Sequence, residues 1–212
     1  MLHNVRPKAC ADEILDDLAG GDPVTAPLAV VAAHPDDECL SFGLGMSRAR
    51  HVHLIHLTDG APLDMADARR AGFETRVSYA EARRLETEAA LAALGVAPAR
   101  RIECLVPDQT AVERLAALSE KLATELACVE AVITHPYEGG HPDHDACAFA
   151  VQAACALILR RGGRPPARLE FASYHLRAGA LAAGRFFPDP RTPEVVLPAD
   201  CYALERKRVA LA

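Results

Sequence analysis

The chain has no basic excess, no long apolar run, no CxxC pair and no glycine-rich fingerprint after its first strand-like segment. Each absence removes a class of function. At 212 residues and a formal net charge of −6, nothing gives the surface an electrostatic preference for nucleic acid or an anionic membrane. No apolar run reaches the roughly 18 to 20 residues that a membrane-spanning helix needs. The first 21 residues, MLHNVRPKACADEILDDLAGG, carry too many charges for a signal peptide. The seven cysteines are odd in number and scattered. That predicts reduced thiols acting as small hydrophobes in a cytoplasmic protein, with Cys39 and Cys147 in the core. Without GxGxxG in the first strand-to-helix turn, a nucleotide-binding protein is the weaker alternative from another class. There is no internal repeat and no low-complexity segment.

What is present is alternation. PLAVVAAH (27–34), HVHLIHLTDG (51–60), RIECLVPD (101–108) and AVITHPYEGG (131–140) read as strands. Helical stretches separate them: CLSFGLGMSRAR, SYAEARRLETEAALAALGV with Gly95 as its stop, TAVERLAALSEKLATELA and DHDACAFAVQAACALILRR. RLEFASYHL and EVVLP read as further strands, and ADCYALERKRVALA as a last helix. The Pro-rich AAGRFFPDPRTPE is expected to cover an edge or the site. Half of the residues are apolar, enough for one sizeable core. The expected fold is α/β: a Rossmann-like three-layer αβα sandwich with a mainly parallel sheet, residues 1–212 forming a single domain.

Two clusters carry the chemistry. HPDDE (34–38) follows the first strand, and HPYEGGHPDHD (135–145) follows the fourth. In doubly wound folds these strand ends flank the crevice where ligands bind, so the clusters are expected to face each other. Imidazole and carboxylate together suit a divalent metal, zinc above all, at a three-ligand site with an open position. Iron(II) or cobalt(II) suits the same donors. His34 and Asp37, three apart, can share an ion with His144. Of the adjacent Asp36 and Asp37, one can bind metal while the other faces the open position and takes a proton from water. His141 is placed to stabilise an oxyanion or protonate a leaving group, as a protonated imidazole. Other residues have simpler uses. Glu38 suits a helix first turn, His51, His53 and His56 suit a sheet face, and His135 suits loop positioning.

AHPDDE, LTDGAP, the R-x-x-E of EARRLETEAALAALGV, VPD and GHPDHDA occur in that order between about residues 27 and 155. This series resembles the PIG-L/LmbE-like zinc-dependent de-N-acetylases. The resemblance implies a zinc amidohydrolase that removes an N-acyl group, most often N-acetyl, from a small amino-sugar-type substrate such as an N-acetylglucosamine conjugate. An amidase cutting a larger N-acyl conjugate, or a non-catalytic metal-binding member, are the alternatives. It further implies His34, Asp37 and His144 as metal ligands, Asp36 as general base, His141 at the tetrahedral intermediate, and Arg83 and Asp108 as substrate-binding residues. The chain departs from the family twice. Some members carry a tyrosine where Gly139 stands here, the nearest being Tyr137. Members also often continue past the point where this chain stops in ERKRVALA, so a C-terminal truncation is one expectation.

Overall fold

The computed structural model describes residues 11–190, 192 and 194–212. Its strands are β1 (Leu28–Ala32), β2 (Val52–Pro62), β3 (Arg100–Asp108), β4 (Ala131–Thr134), β5 (Ala167–Glu170), β6 (Tyr174–Arg177) and β7 (Ala180–Ala183). The helices are α1 (Ala11–Gly20), α2 (Asp37–Arg48), α3 (Ala66–Arg70), α4 (Arg76–Leu94), α5 (Leu115–Glu125), α6 (Pro142–Arg160) and α7 (Cys201–Ala210). The first five strands form one sheet in the order β3-β2-β1-β4-β5. Every pairing within it is parallel, as alternation with helices requires.

The central strand shows why the sheet is covered on both faces. All five residues of β1 are buried, and strand geometry sends successive side chains to opposite sides. Ala29 and Val31 join Leu118 and Leu122 of α5 and Val151 and Ala154 of α6. Leu28 and Val30 join Ile14 and Leu18 of α1, Phe42 and Met46 of α2 and Leu91 and Leu94 of α4. Each such leucine contributes about 1.5–3 kcal/mol by leaving water. Local signals set the helix ends. Thr75 caps α4 by accepting from Ser78 N, and Gly95 ends it in the left-handed region at φ 71°.

The chain winds from β1 outward to β3, then returns to lay β4 on the other side of β1. That reversal opens a crevice at the carboxyl ends of β1 and β4, where the two clusters meet.

Several elements differ from the sequence expectation. RLEFASYHL is two strands in two sheets: β5 pairs with β4, whereas β6 pairs antiparallel with β7. The β6–β7 turn, Ala178 and Gly179, has both residues at positive φ, as a tight two-residue hairpin turn requires. EVVLP forms no strand; Val196 is 78% exposed, and no neighbouring edge pairs with it. β2 runs on through Pro62, beyond the turn expected at Gly60. Helices α1 and α3 were not expected from the sequence. The expected helix at 110–127 begins with a 3-10 turn, Ala111–Arg114. Six cysteines are free, with Cys39 and Cys147 buried; Cys10 lies outside the described residues. Among the described residues, no helix is long and apolar enough to cross a membrane.

Candidate metal centre

The turn from β1 into α2 is strained. Asp36 stands at φ 132°, a region that side-chain-bearing residues rarely adopt. Three contacts hold it there. Its N–H donates to Glu38 Oε2 at 3.2 Å, its Oδ2 accepts from Arg83 Nη2 at 2.9 Å, and the same nitrogen donates to the Pro35 carbonyl. Two consequences follow. Asp36 and Asp37 point apart, and the Asp36 side chain does not cap the helix. The Asp36 carboxyl is half exposed at its tip yet ringed by protein. Burial, opposed by Arg83 and reinforced by Asp37, pushes it up to about 6.

Asp37 turns inward. Its Oδ2 accepts from His34 N at 2.9 Å and lies 3.1 Å from His34 Nδ1, while Oδ1 lies 3.3 Å from His144 Nε2. Burial pushes Asp37 up, but the imidazoles of His135, His144 and His34 bring its carboxyl well below the ordinary range.

His34 is crowded by acids. Nδ1 meets Asp37, and Nε2 lies 3.0 Å from Asp108 Oδ1 and 3.2 Å from Asp143 Oδ2. Burial pulls this imidazole down, and the three carboxylates overcome it, pushing it up to about 12. Three carboxylates within 3.2 Å of one imidazole leave an excess of negative charge that one proton cannot balance. Asp143 is fully buried and also accepts from Gln109 N at 2.6 Å and Ala111 N at 3.1 Å. Burial pushes its carboxyl up, and His34 with these two amides takes it below its ordinary value.

The second cluster starts α6. Pro142 occupies the first turn, where a missing N–H costs nothing. His141 caps the helix, its Nδ1 accepting from Asp143 N at 3.2 Å. Burial, then His34 and His144, lower its pKa. A ring whose Nδ1 accepts from an amide carries its hydrogen on Nε2. In this arrangement the His141 ring offers its Nε2–H as a donor. Asp145 steadies the preceding loop by accepting from Glu138 N and Gly139 N.

Three overlapping sets of donor atoms lie within 4.8 Å of one another: His34, His141 and His144; Asp37, His135 and His144; and His34, Asp108 and Asp143. His135 is the weakest donor among them. Its Nε2 already accepts from Ala33 N at 3.0 Å and its Nδ1 faces Ser173 Oγ at 3.0 Å. Burial lowers it to about 4, so it stays neutral and ties the ends of β1 and β4 together, the positioning use expected of it. His144 is the opposite case: it is buried, its Nδ1 has no hydrogen-bond partner, and its Nε2 faces the Asp37 carboxylate at 3.3 Å. An orphaned nitrogen beside surplus carboxylates is a donor set that a divalent cation could fit.

His34, Asp37, His141, His144 and Asp108 thus meet at one place, with Asp36 at its rim. Asp108 Oδ1 faces His34 Nε2 at 3.0 Å. Arg83 is engaged by Asp36, Pro35 and, at 3.4 Å, Tyr79 OH. Two features were missed in the sequence. Asp143 had a local explanation in a helix first turn, whereas its partners lie 32 and 34 positions away. Glu38 and His56 form a buried pair at 2.9 Å, in which burial raises the Glu38 carboxyl and His56 more than reverses it. A cavity of about 380 Å³ adjoins Pro35, walled in part by His56, Asp59, Arg76 and Arg101.

A family profile described as GlcNAc-PI de-N-acetylase, PIG-L, matches residues 29–155, more than half of the chain and both clusters. The chain belongs to the PIG-L family. No curated protein matches it. Among solved structures it resembles a conserved protein of Thermus thermophilus, at 27% identity and TM-score 0.54 over 73% of this chain and 69% of that one. It also resembles the antimicrobial reagent A40926 pseudoaglycone deacetylase, at 24% identity and TM-score 0.64 over 88% and 80%. A third is the N,N'-diacetylchitobiose deacetylase of Pyrococcus horikoshii, at 18% identity and TM-score 0.53 over 97% and 80%. The last two likenesses, both under 25% identity, show the fold of this PIG-L member: a parallel five-stranded sheet flanked by helices.

Proposed function

We propose that the protein is a zinc-dependent hydrolase that removes an N-acetyl group from an amino-sugar-type substrate, with His34, Asp37 and His144 as the metal ligands. The observation that carries this reading is the charge imbalance around His34 beside the buried His144, whose Nδ1 has no partner. Family membership supplies the reaction class. A divalent cation held there would supply a Lewis acid for water and for an amide carbonyl.

The chain's own residues supply the rest. Asp36, held outward by Arg83, is the general base. It takes a proton from the attacking water as oxygen bonds to the acyl carbon, and passes that proton to the amine nitrogen as the C–N bond breaks. His141 donates from Nε2 to the tetrahedral oxygen. Asp143 and Asp108 fix the ring of His34 from its other side, as acidic neighbours of metal-binding histidines do. Arg83 acts through Asp36, a positioning role alongside the substrate contact that the resemblance implies.

The test is free-amine release from a panel of N-acetyl amino sugars and their conjugates by the fully zinc-loaded protein. Acetate and free amine in equal amounts are expected. Release of a larger acid would favour an amidase of N-acyl conjugates. No release across the panel at full zinc occupancy would overturn the reading.

A further inference from the structure

Residues 173–175, which lie between β5 and β6 and in β6, each dock on the second cluster. Ser173 Oγ meets His135 Nδ1 at 3.0 Å. His175 is buried, with Nδ1 3.1 Å from Glu138 Oε2, and its ring is stacked 4.0 Å from that of Phe187. Phe187 N closes the clamp by donating to Glu138 Oε1 at 2.6 Å. Gly140 lies so close to this hairpin that a Cβ there would fall 1.8 Å from the Tyr174 carbonyl oxygen. The backbone on both sides of Tyr174 is therefore fixed.

Tyr174 itself points into the centre. Its ring meets that of His144 edge-on, with centroids 5.1 Å apart. Asp37, His34, Asp36 and Asp108 are all close enough to act on its phenol electrostatically. The side chain is half-buried. Tyr137, the tyrosine nearest the second motif in sequence, is 71% exposed instead. A phenol anchored at the rim of a cluster of candidate metal ligands is placed to meet a bound molecule.

We propose that Tyr174 is a further catalytic residue, its hydroxyl donating a hydrogen bond to the acyl oxygen of the substrate. This rests on the N-deacetylase reading. The donor adds to His141 from a different element, so the developing oxygen charge is held from two directions.

Tyr174→Phe keeps the ring against His144 and removes only the donor. On an N-acetyl amino sugar that the wild type turns over, kcat is expected to fall about 10- to 100-fold, with KM and zinc content within about twofold. Tyr137→Phe should match the wild type. The second measurement needs no substrate: acetate, whose carboxylate presents the same acyl oxygen, is titrated calorimetrically into both zinc-loaded proteins. Tyr174→Phe should weaken acetate binding about tenfold. Equal acetate affinity in the two proteins, or no acetate binding to the wild type, overturns the proposal. If the wild type releases no amine from any substrate while acetate still separates the two proteins, the N-deacetylase reading fails and the Tyr174 contact stands.

Discussion

Two buried histidine–carboxylate groups each take a member from the turn between β1 and α2, and they are built on opposite terms. At His56 a single acid, Glu38, faces a single imidazole at 2.9 Å, and both are almost wholly removed from solvent. At His34 three carboxylates converge on one ring, and the Nδ1 of a neighbouring imidazole, His144, has no hydrogen-bond partner. The first group is complete within the chain: one acid faces one imidazole, and Glu38 also accepts from Asp36 N. The second has more acids than imidazole to meet them, and its donors could hold a cation. Residue type does not separate the two, because each is histidine and acid. Stoichiometry does: one group matches acid to imidazole, and the other has acids to spare.

The largest test of that contrast is to remove a ligand. His34→Ala, Asp37→Ala or His144→Ala should each lose nearly all copurifying zinc and bring amine release to background, with the far-ultraviolet circular dichroism unchanged. A variant that keeps stoichiometric zinc takes its residue out of the ligand set. Next comes Asp36→Asn, which should keep zinc while kcat falls about 10²–10⁴-fold, the range for a lost general base. Zinc loss there equal to that of Asp37→Ala would exchange the two roles. Glu38→Ala attacks the balanced group instead. Leaving His56 without its buried partner should cost about 3–5 kcal/mol in chemical unfolding, while the protein that remains folded still binds one zinc. A stability change under about 1 kcal/mol would mean that the pair contributes little to holding the turn. The smallest effect is expected for Asp143→Asn, which reduces the surplus charge without touching a ligand. Zinc affinity, measured by competition with a chelator, should weaken about 10- to 100-fold.

How much of this the sequence shows depends on whether the partner of a residue is near in the chain. The alternation of strand and helix is local, and from β1 to α6 it read correctly apart from the short α3. Gly95 was legible because a left-handed helix end has few other solutions. The meeting of HPDDE with HPDHD was legible from topology, since β1 and β4 flank the reversal of strand order. EVVLP misled because a β-branched run makes a strand only where an edge accepts it. α1 went unread although Ile14 and Leu18, four apart, are its buried stripe. Asp143, the Glu38–His56 pair and Tyr174 stayed hidden for another reason. Each is explained by a residue between 18 and 109 positions or another element away, and single-sequence patterns do not carry that distance.

The parallel order of the sheet has a consequence for how the centre comes into being. His34 and Asp143 are 109 positions apart, and β4 must dock on β1 before they touch. At roughly 5–20 residues per second, a ribosome needs on the order of 5 to 20 s to make the intervening chain. Throughout that interval His34, Asp36 and Asp37 are already made but have no second cluster to complete a cage. Capture of a metal by this cluster would therefore be a late event in the life of each molecule. Zinc uptake followed during synthesis would act as a clock for the closing of the β1–β4 seam.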